Sequence, residues 1–209
     1  MAKYQGSILG TIKGRIGKDY VAYVWNTIRC VRAMPENYND ANSIKQQKTR
    51  IRLGVLSELS KMFATAAKIG FKKQAIGMTY ANVFSTENKT NVTVSDQMEA
   101  GVAYGSVSVS KGSLDKSGNS LIASKTGTTV SIAWEEGTKA ERQNDEVYCF
   151  ARISEIADLV EEITRVTRSV KESQIILPVA TDDPMTVYMF FRDPVTGNCS
   201  DSEAITIPA

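Results

Sequence analysis

Between Gly6 and Arg32 the glycines Gly6, Gly10, Gly14 and Gly17 recur every three or four residues with Lys13, Arg15 and Lys18 among them, a composition that suits a bound anion. Three chemistries can be tested by spacing alone. A phosphate-cradling loop of the GxxxxGK type needs a glycine five residues before the second one and a hydroxyl residue after the lysine, whereas Ile12 precedes Gly17 at that distance and Asp19 follows Lys18. A dinucleotide fingerprint needs a strand before the glycines and a helix after them, and here a strand-like run follows while almost nothing precedes. Close packing of membrane helices through GxxxG needs an apolar setting, which the three cations deny. What remains is a chain that bends sharply or passes close to another backbone, for which glycine is suited. Beyond the glycines, the run Tyr20–Trp25 and then Arg29 and Arg32 interleave aromatic rings with cations. Lys13, Arg15, Lys18, Arg29 and Arg32 are therefore the candidate partner-binding residues, suited to phosphates beside stacked bases or to the carboxylates of a protein surface.

Catalytic chemistry has little to draw on. The chain contains no histidine, which removes the commonest general base and most zinc and iron ligand sets. Glu135-Glu136, Glu161-Glu162 and Asp182-Asp183 are carboxylate pairs, but each lies beside an expected turn or on an expected helix, and neighbours on a strand face opposite ways. Cys149 has no obvious base to activate it. Cys30, Cys149 and Cys199 are odd in number, far apart and never paired as CxxC, so buried free thiols are expected rather than disulfides or a zinc site. The sequons at Asn88, Asn91 and Asn198 matter only in a secreted chain. The expectation is a non-enzymatic protein with no cofactor, no metal and no small-molecule substrate.

The elements that must position these residues divide by charge and by pattern. Residues 1–80 hold 14 Lys and Arg against Asp19, Glu36, Asp40 and Glu58, a net +10, while the remainder nets −8 within an overall +2. A basic end of this kind meets an acidic surface, either nucleic acid or the acidic half of another copy. No run approaches a membrane span and the N-terminus lacks a signal-peptide pattern, so no membrane partner is expected and synthesis is expected in the cytoplasm. The expected fold is α+β, mainly β: a basic N-terminal region 1–92 (glycine-rich arm, hairpin, helix) followed by an immunoglobulin- or fibronectin-like β-sandwich over 93–209. Alternation predicts a hairpin from Tyr20 to Arg32 turning at Asn26-Thr27. Glycine leaves few side chains available for packing, so residues 1–35 are expected to be loosely anchored as an arm. A helix is expected at about 43–69 with Val55, Leu59, Met62, Ala66 and Ile69 on one stripe, Gly70 ending it, and a short helix follows near 79–84. Strands are expected near 102–110, 119–124, 128–135, 146–153, 174–178, 185–192 and 203–207, with Trp134 in the core. Ile156, Leu159, Val160 and Ile163 have helical spacing, so 155–164 reads as an inserted one-sided helix, with extended strands as the competing reading.

The order of these features resembles an uncharacterised bacterial protein family with a glycine-rich basic N-terminus and a β-rich C-terminal half. The resemblance is carried by the glycine-punctuated start, Val21-Ala22-Tyr23-Val24-Trp25 followed by Arg29 and Arg32, the Gln- and Lys-rich helix after Pro35, Asn82 to Asn88, Val109-Ser110-Lys111-Gly112, Trp134 and Asp145. It implies a domain layout and neither a catalytic residue nor a ligand. The function expected is that of a structural or interaction protein, a subunit of a homo- or hetero-oligomeric assembly such as a virion or adaptor component. Its partners would be proteins or further copies of itself. The alternative is a nucleic-acid-binding protein using the basic N-terminal region.

Overall fold

The structure, a computed structural model, describes residues 2–3, 13–25, 27–35, 40–117, 121–135, 142–153, 159–180 and 182–209. The chain is mainly β with helices, and it forms two compact units, Met1–Ser43 and Ile44–Ala209. The division expected at 92/93 lies inside the second unit.

In the first unit the expected hairpin is present, within a four-stranded antiparallel sheet, while residues 4–12 of the expected glycine-rich arm lie outside the described residues. Its strands are β1 (Ala2–Lys3), β2 (Gly14–Ile16), β3 (Tyr20–Trp25) and β4 (Ile28–Ala33), in the order β1-β4-β3-β2. The β3/β4 register runs from Tyr20 opposite Ala33 to Trp25 opposite Ile28, with Thr27 in the left-handed region at φ 69°. Asn26, Gly6 and Gly10 lie outside the described residues. Gly14 and Gly17 do what the sequence suggested, taking φ of 111° and 64° at the start of β2 and in the turn before β3, where a side chain is strained.

The second unit opens with α1 (Ile44–Met62) and α2 (Ala64–Gly70), which split the single expected helix at Phe63 (φ −91°, ψ 20°). Gly70 ends α2, but through close packing: a Cβ there would sit 2.3 Å from the Val109 carbonyl oxygen. The short helix is α3 (Tyr80–Glu87), capped by Thr79, whose hydroxyl accepts from the Asn82 amide. The chain then forms a small hairpin of β5 (Val92–Val94) and β6 (Ala100–Val102). The strand expected at 102–110 is absent. A 3-10 turn at Tyr104–Ser106 replaces it, and residues 107–114 are held to 199–202 by scattered bonds, such as Val109 N–H to Ser202 Oγ at 3.0 Å and Leu114 N–H to the Cys199 carbonyl at 3.1 Å.

Seven strands follow: β7 (Ile122–Thr126), β8 (Thr129–Ala133), β9 (Glu146–Ile153), β10 (Leu159–Thr167), β11 (Glu172–Ile176), β12 (Met185–Arg192) and β13 (Glu203–Ile207). They form antiparallel sheets of order β11-β8-β7 and β10-β9-β12-β13. The helix expected at 155–164 is a correction, since 159–167 is the edge strand β10, while 154–158 lie outside the described residues. Val130, Ile132 and Trp134 pack with Val147, Cys149, Ala151 and Ile153 and with Val187, Met189 and Phe191, so the two sheets share one core. The alternate residues Tyr148, Phe150, Tyr188 and Phe190 point the other way, into a second core with Leu59, Phe63, Phe71 and Phe84. Three layers result: a three-stranded sheet, a four-stranded sheet, and helices. Both faces of β9 and β12 are covered, which is why their sequences read as almost continuous apolar runs.

Candidate partner-binding surface

Strand pairing decides which of the five basic residues act together. Arg15 lies opposite Val21 and Val21 opposite Arg32, so both guanidinium-bearing residues stand on one face of the first sheet, two strand spacings apart, about 10 Å. Tyr23, Trp25 and Cys30 share that face. Arg29 lies opposite Val24 and projects from the other face with Tyr20. Lys18 sits in the turn between β2 and β3, and Lys13 precedes β2. The five therefore form a pair, one residue on the opposite face and two on the rim. Lys13, Arg15, Lys18 and Arg32 are exposed, and Arg29 is half-buried. Large apolar side chains accompany them, with Tyr20 51%, Val24 41% and Trp25 57% exposed. Three of the six residues of a central strand are thus turned to solvent although their chemistry favours burial.

In the second unit the residues considered for catalysis are dispersed. Glu135 and Asp182 are exposed at loops. Glu136 and the side chains of Glu161 and Glu162 lie outside what the structure describes. Cys149 is buried in the core between the two sheets, and Cys199 is buried with its thiol pushed up to about 11 by desolvation, which makes it a poor nucleophile. Cys30 is buried too, and none of the three cysteines forms a disulfide among the described residues. Among the described residues no group of three or more His, Cys, Asp or Glu is placed to hold a metal ion.

Two polar arrangements were not legible in the sequence and serve the fold. Asn88, one of the sequons, is fully buried. Its amide donates to the carbonyls of Phe84 and Ser108 at 3.0 and 2.8 Å, while its oxygen accepts from the Ser108 amide at 2.7 Å. It staples α3 to the segment after β6. Arg168 is also buried, donating to the carbonyls of Asp115 and Lys116 at 3.0 and 2.8 Å with its guanidinium 4.1 Å from the centre of the Phe191 ring. Asp145 beside it is buried, and desolvation raises its pKa against the opposing pull of Arg142.

Comparison with known proteins adds a family and little more. The fn3 domain of human contactin 1, known from solution structures, is similar over 43% of this chain and 72% of that one, with 10% identity and a TM-score of 0.31. No curated protein matches the chain. No helix among the described residues is long and apolar enough to cross a membrane. A family model described as "Family of unknown function (DUF6266)" matches residues 11–204, nearly the whole chain, and the protein therefore belongs to the DUF6266 family.

Proposed function

We propose that this is a non-enzymatic interaction protein, a subunit of a larger assembly such as a virion or adaptor complex, in which the first unit's sheet engages an acidic surface on a neighbouring copy or partner. The observation that carries this reading is the exposure of Trp25 on the face of the central strand β3 that also presents Arg15 and Arg32, with Tyr20 and Val24 exposed beside Arg29 on the opposite face. Aromatic side chains flanked by arginines are the usual content of a protein interface centre, and charges around them set orientation. The −8 balance of residues 81–209 makes the chain's own acidic portion a complementary partner in every copy. We also read the seven-stranded module as a fibronectin-like sandwich. Its support is strand order: the first, second and fifth strands form one sheet and the third, fourth, sixth and seventh the other.

Binding of single-stranded nucleic acid is the second reading, favoured by Tyr20 and Trp25 standing exposed beside cations. Light scattering over a range of concentrations, on the native chain and on Arg15→Glu/Arg32→Glu, separates the two. The assembly reading expects a concentration-dependent oligomer that the double reversal dissociates, together with weak oligonucleotide binding at moderate salt. A monomer at every concentration that binds short oligonucleotides tightly, with affinity falling steeply as salt rises, overturns it in favour of nucleic acid.

A further inference from the structure

A groove of about 480 Å³ runs between α1 and α3 in the second unit, remote in sequence from the basic sheet. From α1 it takes Thr49, Arg52, Leu53 and Leu56, the i, i+3, i+4, i+7 face that also grips partner helices, and from the α3 side it takes Thr86 and Lys89. Leu56 is buried and forms the floor, while Leu53 is 57% exposed on the wall. Among the described residues no carboxylate lines it. Arg52 Nε is buried yet has no hydrogen-bond acceptor among the described residues. A buried N–H on a charged group without an acceptor is a standing cost to the isolated chain, and the Arg52 side chain that carries it lines the groove, where its guanidinium can pair with an anion.

We infer that this groove docks an acidic amphipathic helix of a partner protein, with an aliphatic side chain against Leu53 and Leu56 and a glutamate or aspartate on Arg52, supported by the Lys89 ammonium. Charge complementarity names the acid, since both ionisable residues of the groove are cationic. The open rim names the partner type: Thr49, Leu53, Thr86 and Lys89 are all exposed, whereas a site for a free small molecule encloses most of its ligand. This inference is independent of the reading given to the first unit's sheet, because none of the sheet's residues contributes to the groove.

The test uses the full chain and three probes: a capped 15-residue helical peptide with leucines at i, i+4 and i+7 and glutamates flanking them, its glutamine counterpart, and hexanoate. The readout is the Arg52 Nε–H signal in a nitrogen-resolved NMR titration. Expected is a saturable, salt-sensitive shift with the glutamate peptide, weakened about tenfold or more for the glutamine peptide and for the chain carrying Arg52→Gln when followed through the Leu53 and Leu56 methyls, as loss of one charged hydrogen bond implies. Lys89→Gln, on the groove's exposed side, is a second variant that retains the fold and is expected to weaken binding. No shift up to millimolar peptide overturns the inference, as does equal binding of the glutamine peptide. Hexanoate binding as tightly as the glutamate peptide overturns the partner helix and makes the occupant a free carboxylate.

Discussion

Trp134 shows what a single residue contributes on both sides of its ring. Its indole packs edge-on against Phe191 with centroids 6.2 Å apart, and Nε1–H donates to the Arg168 carbonyl at 2.9 Å. Trp134→Ala should therefore lower unfolding stability by about 3 to 5 kcal/mol through cavity and lost burial. Trp134→Phe, which keeps most of the ring, should cost less, about 0.5 to 1.5 kcal/mol for one lost hydrogen bond, because the Arg168 carbonyl still accepts from the Lys171 amide at 3.3 Å. A near-native melting temperature for the alanine variant would remove Trp134 from the core. Asp193 gives a pH signature. The Thr196 hydroxyl and the amides of Val195 and Thr196 hold its carboxylate and pull its pKa down to about 2. With its pKa depressed on folding, it stabilises the fold above its unfolded value near 3.8, and that contribution fades as pH falls toward 2. The gap in melting temperature between the native chain and Asp193→Ala should thus be open at pH 5 to 7 and close on acidification. A gap that persists at pH 2 contradicts the assignment. Asp145, with its pKa raised, acts with opposite sign and favours folding as pH falls. Trp134 was legible because Val130 and Ile132 alternate with it. Asn88 was not, because a buried amide and a surface sequon have the same local sequence.

At the scale of elements, legibility followed regularity of the hydrogen-bond ladder. The hairpin of β3 and β4 and the strands β8 and β13 alternate, β9 and β12 read as short apolar runs between turns, and all keep an unbroken ladder. β10 shifts register between Glu162 and Val166, where it advances four residues against two on β9, so strict alternation is lost from Ile163 onward. The segment 107–114 lacks a continuous ladder, so its alternation was a false strand signal. Two glycines with opposite environments test how well each element is packed. A Cβ on Gly54, in the interior of α1, meets nothing within 4 Å, so Gly54→Ala should stabilise the chain by about 0.5 to 1 kcal/mol. A Cβ on Gly112 would sit 1.9 Å from the Cys199 carbonyl oxygen, so Gly112→Ala should destabilise by about 1 to 3 kcal/mol as the loop is forced off β12's neighbour. Thermal denaturation of both variants decides, and the first must rise while the second falls. Should Gly54→Ala raise the melting point yet weaken self-association, a neighbouring copy approaches α1 there.

At the scale of the molecule the sequence divided the chain by composition, basic before residue 92 and β-rich after it, and composition does not report which surfaces bury one another. The pairing that matters joins distant segments: Phe63 stacks its edge on Tyr188 with centroids 5.1 Å apart, and Phe63 and Phe71 both meet Phe84. A fragment spanning 93–209 would lose α1, α2 and α3 and expose Tyr148, Phe150, Tyr188 and Phe190 together on the outer face of the four-stranded sheet. Each such ring buries about 150 to 250 Å² when covered, so four of them make a bare apolar patch larger than the few hundred Å² a soluble monomer tolerates. A fragment spanning 44–209 keeps both cores and omits only the first unit. The expected outcome is that 44–209 is soluble and unfolds in one cooperative transition, while 93–209 aggregates or unfolds without cooperativity. Circular dichroism melts and light scattering on the two fragments check this. A monomeric 93–209 that melts as sharply and as high as 44–209 would make the two β-sheets independent of the helices and support the boundary at 92/93.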